Sequence, residues 1–389
     1  MATIQSGARG TVGLLSDLIA QNMVKKVVQL NPSAGPLTSV INILDKYLET
    51  ETAEPQHAED ELLPNRDLVN GAHTPADTTI EVDNPGFYLV GDILHIPRTG
   101  ENMRVTTAAG TSPITVVRGA SVGSAPAALV DDEPIWILGG AQREGDTSRT
   151  ALNTLEIPKT EFCQIIRNSV HGTEVQLATR QLGGDFQSQF DKKLIEHKRQ
   201  CDSFFKWGTK SSATVSGQTL RTMEGLNPWI QTNRMAVDGT LGEGEWDAFL
   251  EMNGAYGGSR KLFVCSARVA RAINNFAKNR LVTVPQDETY GLSIQSYISN
   301  GLDVWIVVDQ EMKGAQYGGF GFLVDPDYLV VRPLLAAGMG EKYDGTQYCK
   351  RVENIQANDE AARKDEIYSC LTLHKFHERT AGVLEGVEG

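Results

Sequence analysis

The side chains best equipped for chemistry here are five cysteines, seven histidines and one Gly-Thr-Lys-Ser-Ser run, and none stands at a spacing that a reaction requires. Cys163, Cys201, Cys265, Cys349 and Cys370 are odd in number and widely separated, with no Cys-x-x-Cys pair. That arithmetic fits neither a zinc site nor a disulfide framework, so free thiols in a reducing cytoplasm are expected. His374 and His377 are three positions apart. On a strand they would face opposite ways, which is poor for a shared metal and points to a surface or packing role. His197 falls on an apolar helical stripe and reads as a core histidine with satisfied hydrogen bonds. The run at Gly208–Ser212 lacks the GxxxxGK[ST] spacing, so a backbone cradle for phosphate would not form. Gly239, Gly242 and Gly244 do not make a GxGxxG turn, and no GxSxG elbow occurs. Carboxylates are plentiful, but nothing singles out an acid and base pair. The expectation is a chain with no catalytic, cofactor-binding or metal site.

Composition narrows the class further. Across 389 residues, 40% are hydrophobic and the formal net charge is -13. A substantial core can be buried. At ~150 residues per domain, two or three domains are expected. An acidic chain is a poor dedicated nucleic-acid grip, although an acidic wall would let DNA slide past it. The N-terminus lacks the basic start and apolar run of a signal peptide. No stretch approaches the ~18 apolar residues of a membrane span.

The elements that would position any functional surface fall into five segments. Residues 1–75 have helical periodicity from Leu14 to Leu30, a turn at NPSAGP and a polar run, Thr50 to Asn70, which reads as a poorly packed arm. Residues 76–150 read as β throughout, with strands at FYLV (Phe87–Val90) and DILHIP (Asp92–Pro97), and a hairpin in which Val105 and Thr107 oppose Ile114 and Val116. A further strand surrounds Trp136. This segment is either an inserted barrel or a long loop reaching over an adjacent copy. In residues 151–239, Phe186, Phe190, Leu194, His197, Cys201 and Phe204 recur at helical spacing. Asp185 is the expected N-cap and Gly208 the stop. Lys192, Glu196 and Arg199 form the wet face. Residues 240–338 alternate helix and strand, with Val269, Ile273 and Phe276 on one helix side, and are expected to hold their own core. Residues 339–389 hold a polar connection and a strand around Tyr368–Leu373.

This order, polar arm, long β insertion, strut helix, α/β domain and terminal strand, resembles the major capsid proteins of tailed bacteriophages, an α+β class with the Hong Kong 97-like fold. VVQLNPSAGPLTSVINIL followed by EPQHAEDELLPNRDLVNG is similar to the N-terminal signature of one branch of that family. The stretch from GENMRVTTAAG to GGAQREG is similar to its extended loop, through Glu101, Met103, Val105, Val117, Arg118, Gly119 and the closing Glu144-Gly145. Thr173, QFDKKLIEHKRQCD and TMEGLNPWIQTN fit the region of the spine helix. Relatives commonly carry a Trp in the acidic N-terminal segment, where this chain has His57 to Asp60.

The resemblance implies an N-terminal arm (1–75), an extended loop (76–150), a peripheral domain with a spine helix near 185–207 (151–239), an axial domain (240–338) and a C-terminal return to the peripheral domain (339–389). It implies a virion protein, assembled in the bacterial cytoplasm into hexamers and pentamers of an icosahedral head. Scaffolding and portal proteins would be its partners, and double-stranded DNA would be enclosed without sequence-specific contact. Glu101, Arg104, Arg118, Glu144, Phe186, Phe190 and Leu194 are the candidate assembly residues. Some family members join Lys to Asn covalently beside a buried Glu, but no such trio can be picked here. The expected driving force is an arm and a β loop that cannot bury their apolar faces alone. An encapsulin-type compartment with the same fold, and a soluble α/β enzyme with its site in 240–335, are the competing readings.

Overall fold

The computed structural model describes residues 35–108, 110–119, 122–142, 144–145, 147–179, 185–276, 294–299, 301–336 and 345–388. The helical periodicity expected at Leu14–Leu30 lies outside these. The chain divides into two compact units, Met1–His57 with Thr160–Gly389, and Ala58–Lys159.

In chain order, helix α1 (Pro36–Ile43) is followed by β1 (Gln56–Glu59). The inserted unit then holds β2 (Arg66–Leu68), β3 (Thr79–Ile80), β4 (Asp92–Ile96), β5 (Glu101–Thr107), β6 (Ile114–Val117) and β7 (Pro134–Gly140). Strand β8 (Ile157–Thr160) pairs with β1 where the chain passes from one unit to the other. Next come β9 (Gln164–Thr173), α2 (Glu174–Ala178), the long α3 (Phe186–Trp207), β10 (Ser211–Val215), β11 (Gln218–Thr222) and α4 (Leu226–Trp229). Then follow β12 (Arg234–Gly239), α5 (Glu243–Gly254), β13 (Arg260–Ser266), α6 (Ala267–Phe276), β14 (Ile294–Ser299), β15 (Leu302–Asp309), α7 (Gly314–Tyr317) and β16 (Gly321–Val324). The chain closes with β17 (Leu329–Pro333), β18 (Leu335–Ala336), β19 (Gly345–Thr346), β20 (Lys350–Val352), β21 (Ala362–Lys375) and β22 (Gly382–Val387).

The inserted unit is a small barrel with its own core. Its strand order is β2-β7-β4-β5-β6-β3. The two end strands meet through the antiparallel bridge Val69↔Val82, reinforced by Asn70 N–H to Glu81 O and Asp83 N–H to Leu68 O. Closure removes the open edges of the sheet. Inside lie Val69, Ile80, Leu94, Ile96, Met103, Val105, Ile114, Val116 and Ile135, all buried. The expectation that the β region cannot bury its apolar face alone is therefore corrected: alternation turned enough large side chains inward to fill a barrel. The unit also starts earlier than residue 76, because β2 pairs with β7 and draws the polar run after Thr50 into the fold. Two strand expectations fail locally. Pro85–Phe87 form a 3-10 turn, and Tyr88 drops into the interior, where its hydroxyl donates to buried Asp67 at 2.9 Å. A register shift between Val105 and Thr107 breaks the alternation, so Thr107 faces solvent.

In the other unit, β9 pairs with β21, which also pairs with β17 and β20. The second sheet has the order β12-β22-β16-β13-β15-β14, with β13 parallel to β15 and β12 parallel to β22. Both faces of this mixed sheet are covered, which is why β13 is buried without a break from Lys261 to Ser266. One face packs on α5 and α6 through Trp246, Phe249, Phe263, Val269 and Ile273. The other shares a core with α1, α3 and β21, through Leu37, Phe205, Leu262, Val307, Phe322, Leu371 and Leu373. The 240–335 segment thus does not own all of its core. The C-terminal boundary differs as well: β22 enters the mixed sheet, whereas β17 belongs with β21. Helix α1 is tucked against its own chain, with Leu37, Val40 and Ile41 buried, so this part of the expected arm needs no neighbour.

Helix α3 runs Phe186–Trp207 as its periodicity predicts. The Asp185 carboxylate accepts from Ser188 N–H at 3.1 Å, the N-cap arrangement. Gly208 ends it for a reason other than left-handed backbone. A Cβ there would lie 2.7 Å from both Met223 O and Phe204 O, so only glycine lets residues 208 and 225 meet.

Candidate assembly surfaces

Glu101 and Arg118 are turned into the barrel and onto each other. Arg118 Nε and Nη2 each donate to the Glu101 carboxylate at 2.7 Å, and both side chains are buried. Ala127 N–H also donates to Glu101 at 2.9 Å, and Arg118 Nη1 donates to Thr74 O at 2.8 Å. One bidentate pair thus staples two loops to β5. Arg104 lies half-buried on β5, its Nε without a hydrogen-bond partner among the described residues, and Glu144 is exposed after β7. The structure does not bring Arg104 or Glu144 to the staple.

Exposed apolar side chains mark the outside of this unit. Leu68, Trp136 and Leu138 lie on β2 and β7, with the Arg66 guanidinium 5.5 Å from the Trp136 ring. Leu62 and Leu155, on the segments flanking the barrel, are 94% and 85% exposed, so they are almost wholly wet in a lone chain.

At the start of α3, Phe186, Phe190 and Leu194 pack on Val170 and Ile367 of their own sheet. Arg351 lies over Phe190 at 4.3 Å and Arg363 over Phe186 at 4.9 Å. Both guanidiniums bond to Asp365, at 2.8 and 2.9 Å. Burial alone would raise the Asp365 carboxyl, but these two cations outweigh it and hold it below the usual range. The candidates on α3 are thus brought together, but with their own β21.

His197 is the satisfied core residue expected. Its Nδ1 lies 2.6 Å from Asn168 Oδ1 and its Nε2 2.7 Å from Ser369 Oγ, and burial lowers its pKa to about 4. Ser369 Oγ also accepts from Cys349 N–H at 2.8 Å. His374 is fully buried against His57 and Phe376, with ring centroids 4.5 and 4.7 Å away. His377 lies past the end of β21, so the two-faced strand geometry expected for the pair does not apply. All five cysteines are free, and burial pushes Cys163 up to about 12 and Cys370 to about 11, which keeps them unreactive. Lys210, from the Gly-Thr-Lys-Ser-Ser run, donates to Thr160 O and lies over Phe162. Among the described residues no group of His, Cys, Asp and Glu could hold a metal, and no helix is long and apolar enough to cross a membrane.

One constellation escaped the sequence reading. Lys206, on α3, is buried between Asp202, at 2.6 Å, and Asp309 at the end of β15. Asp202 also accepts from the Thr38 backbone N–H at 3.0 Å, which docks α1. Burial acts to lower the Lys206 ammonium, but the two carboxylates overcome it and hold it up. Burial, with Asp309 beside it, raises Asp202. The only signal was the four-residue spacing of Asp202 and Lys206, which reads equally well as a surface pair.

Similarity to known proteins fits this architecture. The capsid of the native GTA particle aligns with a TM-score of 0.53 at 9% identity, covering 98% of this chain and 99% of that one. The cyanophage A-1(L) capsid gives 0.52 at 9% identity, covering 96% and 98%. At such identity the likeness concerns the fold, which is mixed α+β and Hong Kong 97-like. The SrpI encapsulin of Synechococcus elongatus PCC 7942 aligns over only 61% of this chain, with a TM-score of 0.43 at 12% identity and 78% of its own length covered. No curated protein sequence matches. The family model described as SU10 major capsid protein matches residues 4–388, from before α1 to beyond β22. Barrel insertion, long helix and mixed sheet are therefore parts of one shell subunit, and this chain belongs to the SU10 major capsid protein family.

Proposed function

We propose that this chain closes an icosahedral head around double-stranded DNA by docking the outer face of its barrel on neighbouring copies. In this reading the barrel serves as the extended loop, the α3–β21 region as the peripheral domain and the mixed sheet as most of the axial domain. Glu101 and Arg118 act from inside, holding the loop in the shape that a neighbour meets. Arg104 and Glu144 frame that docking face, and Phe186, Phe190 and Leu194 serve the contacts of the peripheral domain. Scaffolding and portal proteins take part in assembly in the bacterial cytoplasm. DNA is retained by enclosure and not by sequence-specific binding, in keeping with the net charge of -13. The chain carries out no catalysis.

The observation that carries the reading is a self-cored insertion whose outer apolar residues, Leu62 and Leu155 above all, are solvated in a single chain. The two crossings lie side by side, with Glu161 N–H bonded to Pro55 O and Cys163 N–H to Ala53 O at 2.9 Å. Replacing residues 60–157 by a short Gly-Ser turn therefore leaves the larger unit's cores intact. Electron microscopy and sedimentation are expected to find a folded protein that makes no shells. Normal particles from that variant would refute the role of the barrel.

A further inference from the structure

We propose that residues 50–57 form an acid-released strap, closed over His374 while that imidazole is neutral and opened when it takes up a proton. The inference concerns the single chain and does not rest on the shell reading.

The strap is laid across one sheet by its two ends. At its start the backbone extends the edge of β17: Leu48 N–H bonds Val331 O at 3.0 Å, Thr50 N–H bonds Pro333 O at 2.9 Å, and Leu335 N–H bonds Thr50 O at 2.8 Å. At its end it lies beside the start of β9, where Glu161 N–H bonds Pro55 O and Cys163 N–H bonds Ala53 O, both at 2.9 Å. Strand β21 runs between β17 and β9, since Leu371 pairs with Pro333 on one side and Gln164 on the other. The strap therefore crosses β21, and the crossing sets the His57 ring on His374, with centroids 4.5 Å apart.

His374 has no water and no counter-ion there. It is fully buried, and neither ring nitrogen has a hydrogen-bond partner among the described residues. Phe376 closes another side at 4.7 Å. The charged neighbours are cations. Arg332, on β17, stands opposite Thr372, two residues from His374 on the same face. Its Nε is likewise buried without a partner. Lys375 comes next on β21, turned to the other face, where Glu161 holds it at 3.0 Å. Cys163 and Cys370 remain neutral thiols. On the strap itself, Glu54 pairs with Arg221 at 2.9 Å and Glu51 is exposed. Burial first, then Arg332, His57 and Lys375, lower the His374 pKa from the ordinary 6.5 to about 3. Lifting the strap returns the ring to water and to its ordinary value. Above pH 6.5 the strap is thus indifferent to pH. Between 6.5 and about 3, each unit of acid favours the open form by up to about tenfold.

The test is hydrogen–deuterium exchange of the unassembled full chain from pH 7.5 to 4.5, corrected for the intrinsic pH dependence of amide exchange. Protection of residues 46–57 is expected to hold down to about pH 6.5 and then to fall by about 100-fold at pH 4.5. Peptides covering β13 should keep theirs. His374→Phe retains a flat ring that cannot titrate, so its strap should be equally protected at both ends of the range. Wild-type protection that ignores pH overturns the proposal, as does the same acid loss in the variant. A second measurement needs no variant: exchange of the imidazole C2 proton, read by mass spectrometry, reports the titration of each histidine. The midpoint for His374 is expected below about 5. A midpoint near 6.5 would mean that the closed strap does not shield the ring, and would also overturn the proposal.

Discussion

A lysine held between two aspartates, all three shielded from water, ties α1, α3 and β15 together through single side chains. Such a cluster is costly to break. Lys206→Met would leave Asp202 and Asp309 facing each other uncompensated, and urea titration of the unassembled subunit is expected to show a loss of about 3–5 kcal/mol. A loss near zero would mean that water reaches the carboxylates. The buried imidazole of His197 adds a pH dependence. In the unfolded chain it takes up its proton near 6.5, in the folded chain only near 4. Between these values the unfolded state binds more protons. The contribution is therefore complete above about pH 6.5 and declines as pH falls, by about 3 kcal/mol once pH 4 is reached. His197→Asn should flatten that slope in urea titrations across the window. An unchanged slope would assign the acid sensitivity to other groups.

At the level of elements, α3 shows how one stop signal can hide two causes. Its start depends on an ordinary cap, and Asp185→Ala is expected to cost about 1 kcal/mol. Its end depends on crowding, since any side chain at residue 208 meets the backbone of 204 and 223. Gly208→Ala should therefore cost more than the cap, about 1–3 kcal/mol, and should disturb the stem of the β10–β11 hairpin. Thermal melting of the two variants side by side tests the ranking. Strand β21 shows the same gap between pattern and cause. Its Tyr368–Leu373 segment reads as a strand, but Arg363 and Asp365 occupy β21 because Arg351, Phe186 and Phe190 converge there from other elements.

For the whole molecule, the net charge of -13 sets the long-range force between copies. Assembly must bring these charges together, and salt screens them over ~10 Å at 0.1 M and ~3 Å at 1 M. Light scattering is accordingly expected to show faster and fuller assembly as salt rises from low values. A fall with salt would mean that opposite-charge contacts dominate the interfaces. The barrel also changes the account of the driving force. With its interior filled, the docking proposed above draws on exposed residues such as Trp136 and Leu138 and not on an unsatisfied core.

Local periodicity by itself determined the long helix with its cap, the strands β4, β5, β6, β7, β13, β15 and β16, and the lack of any catalytic or metal spacing, because these depend only on neighbours along the chain. The order of segments was enough to carry the resemblance to capsid subunits. Closure of the barrel was left open, since it depends on Val69 meeting Val82 across a loop. The partition of β17 and β22 between two sheets, the docking of α1 and the burial of Lys206 were decided only in three dimensions. Each is fixed by contacts between segments far apart in sequence, where a buried ion pair and a solvated one look alike in one dimension.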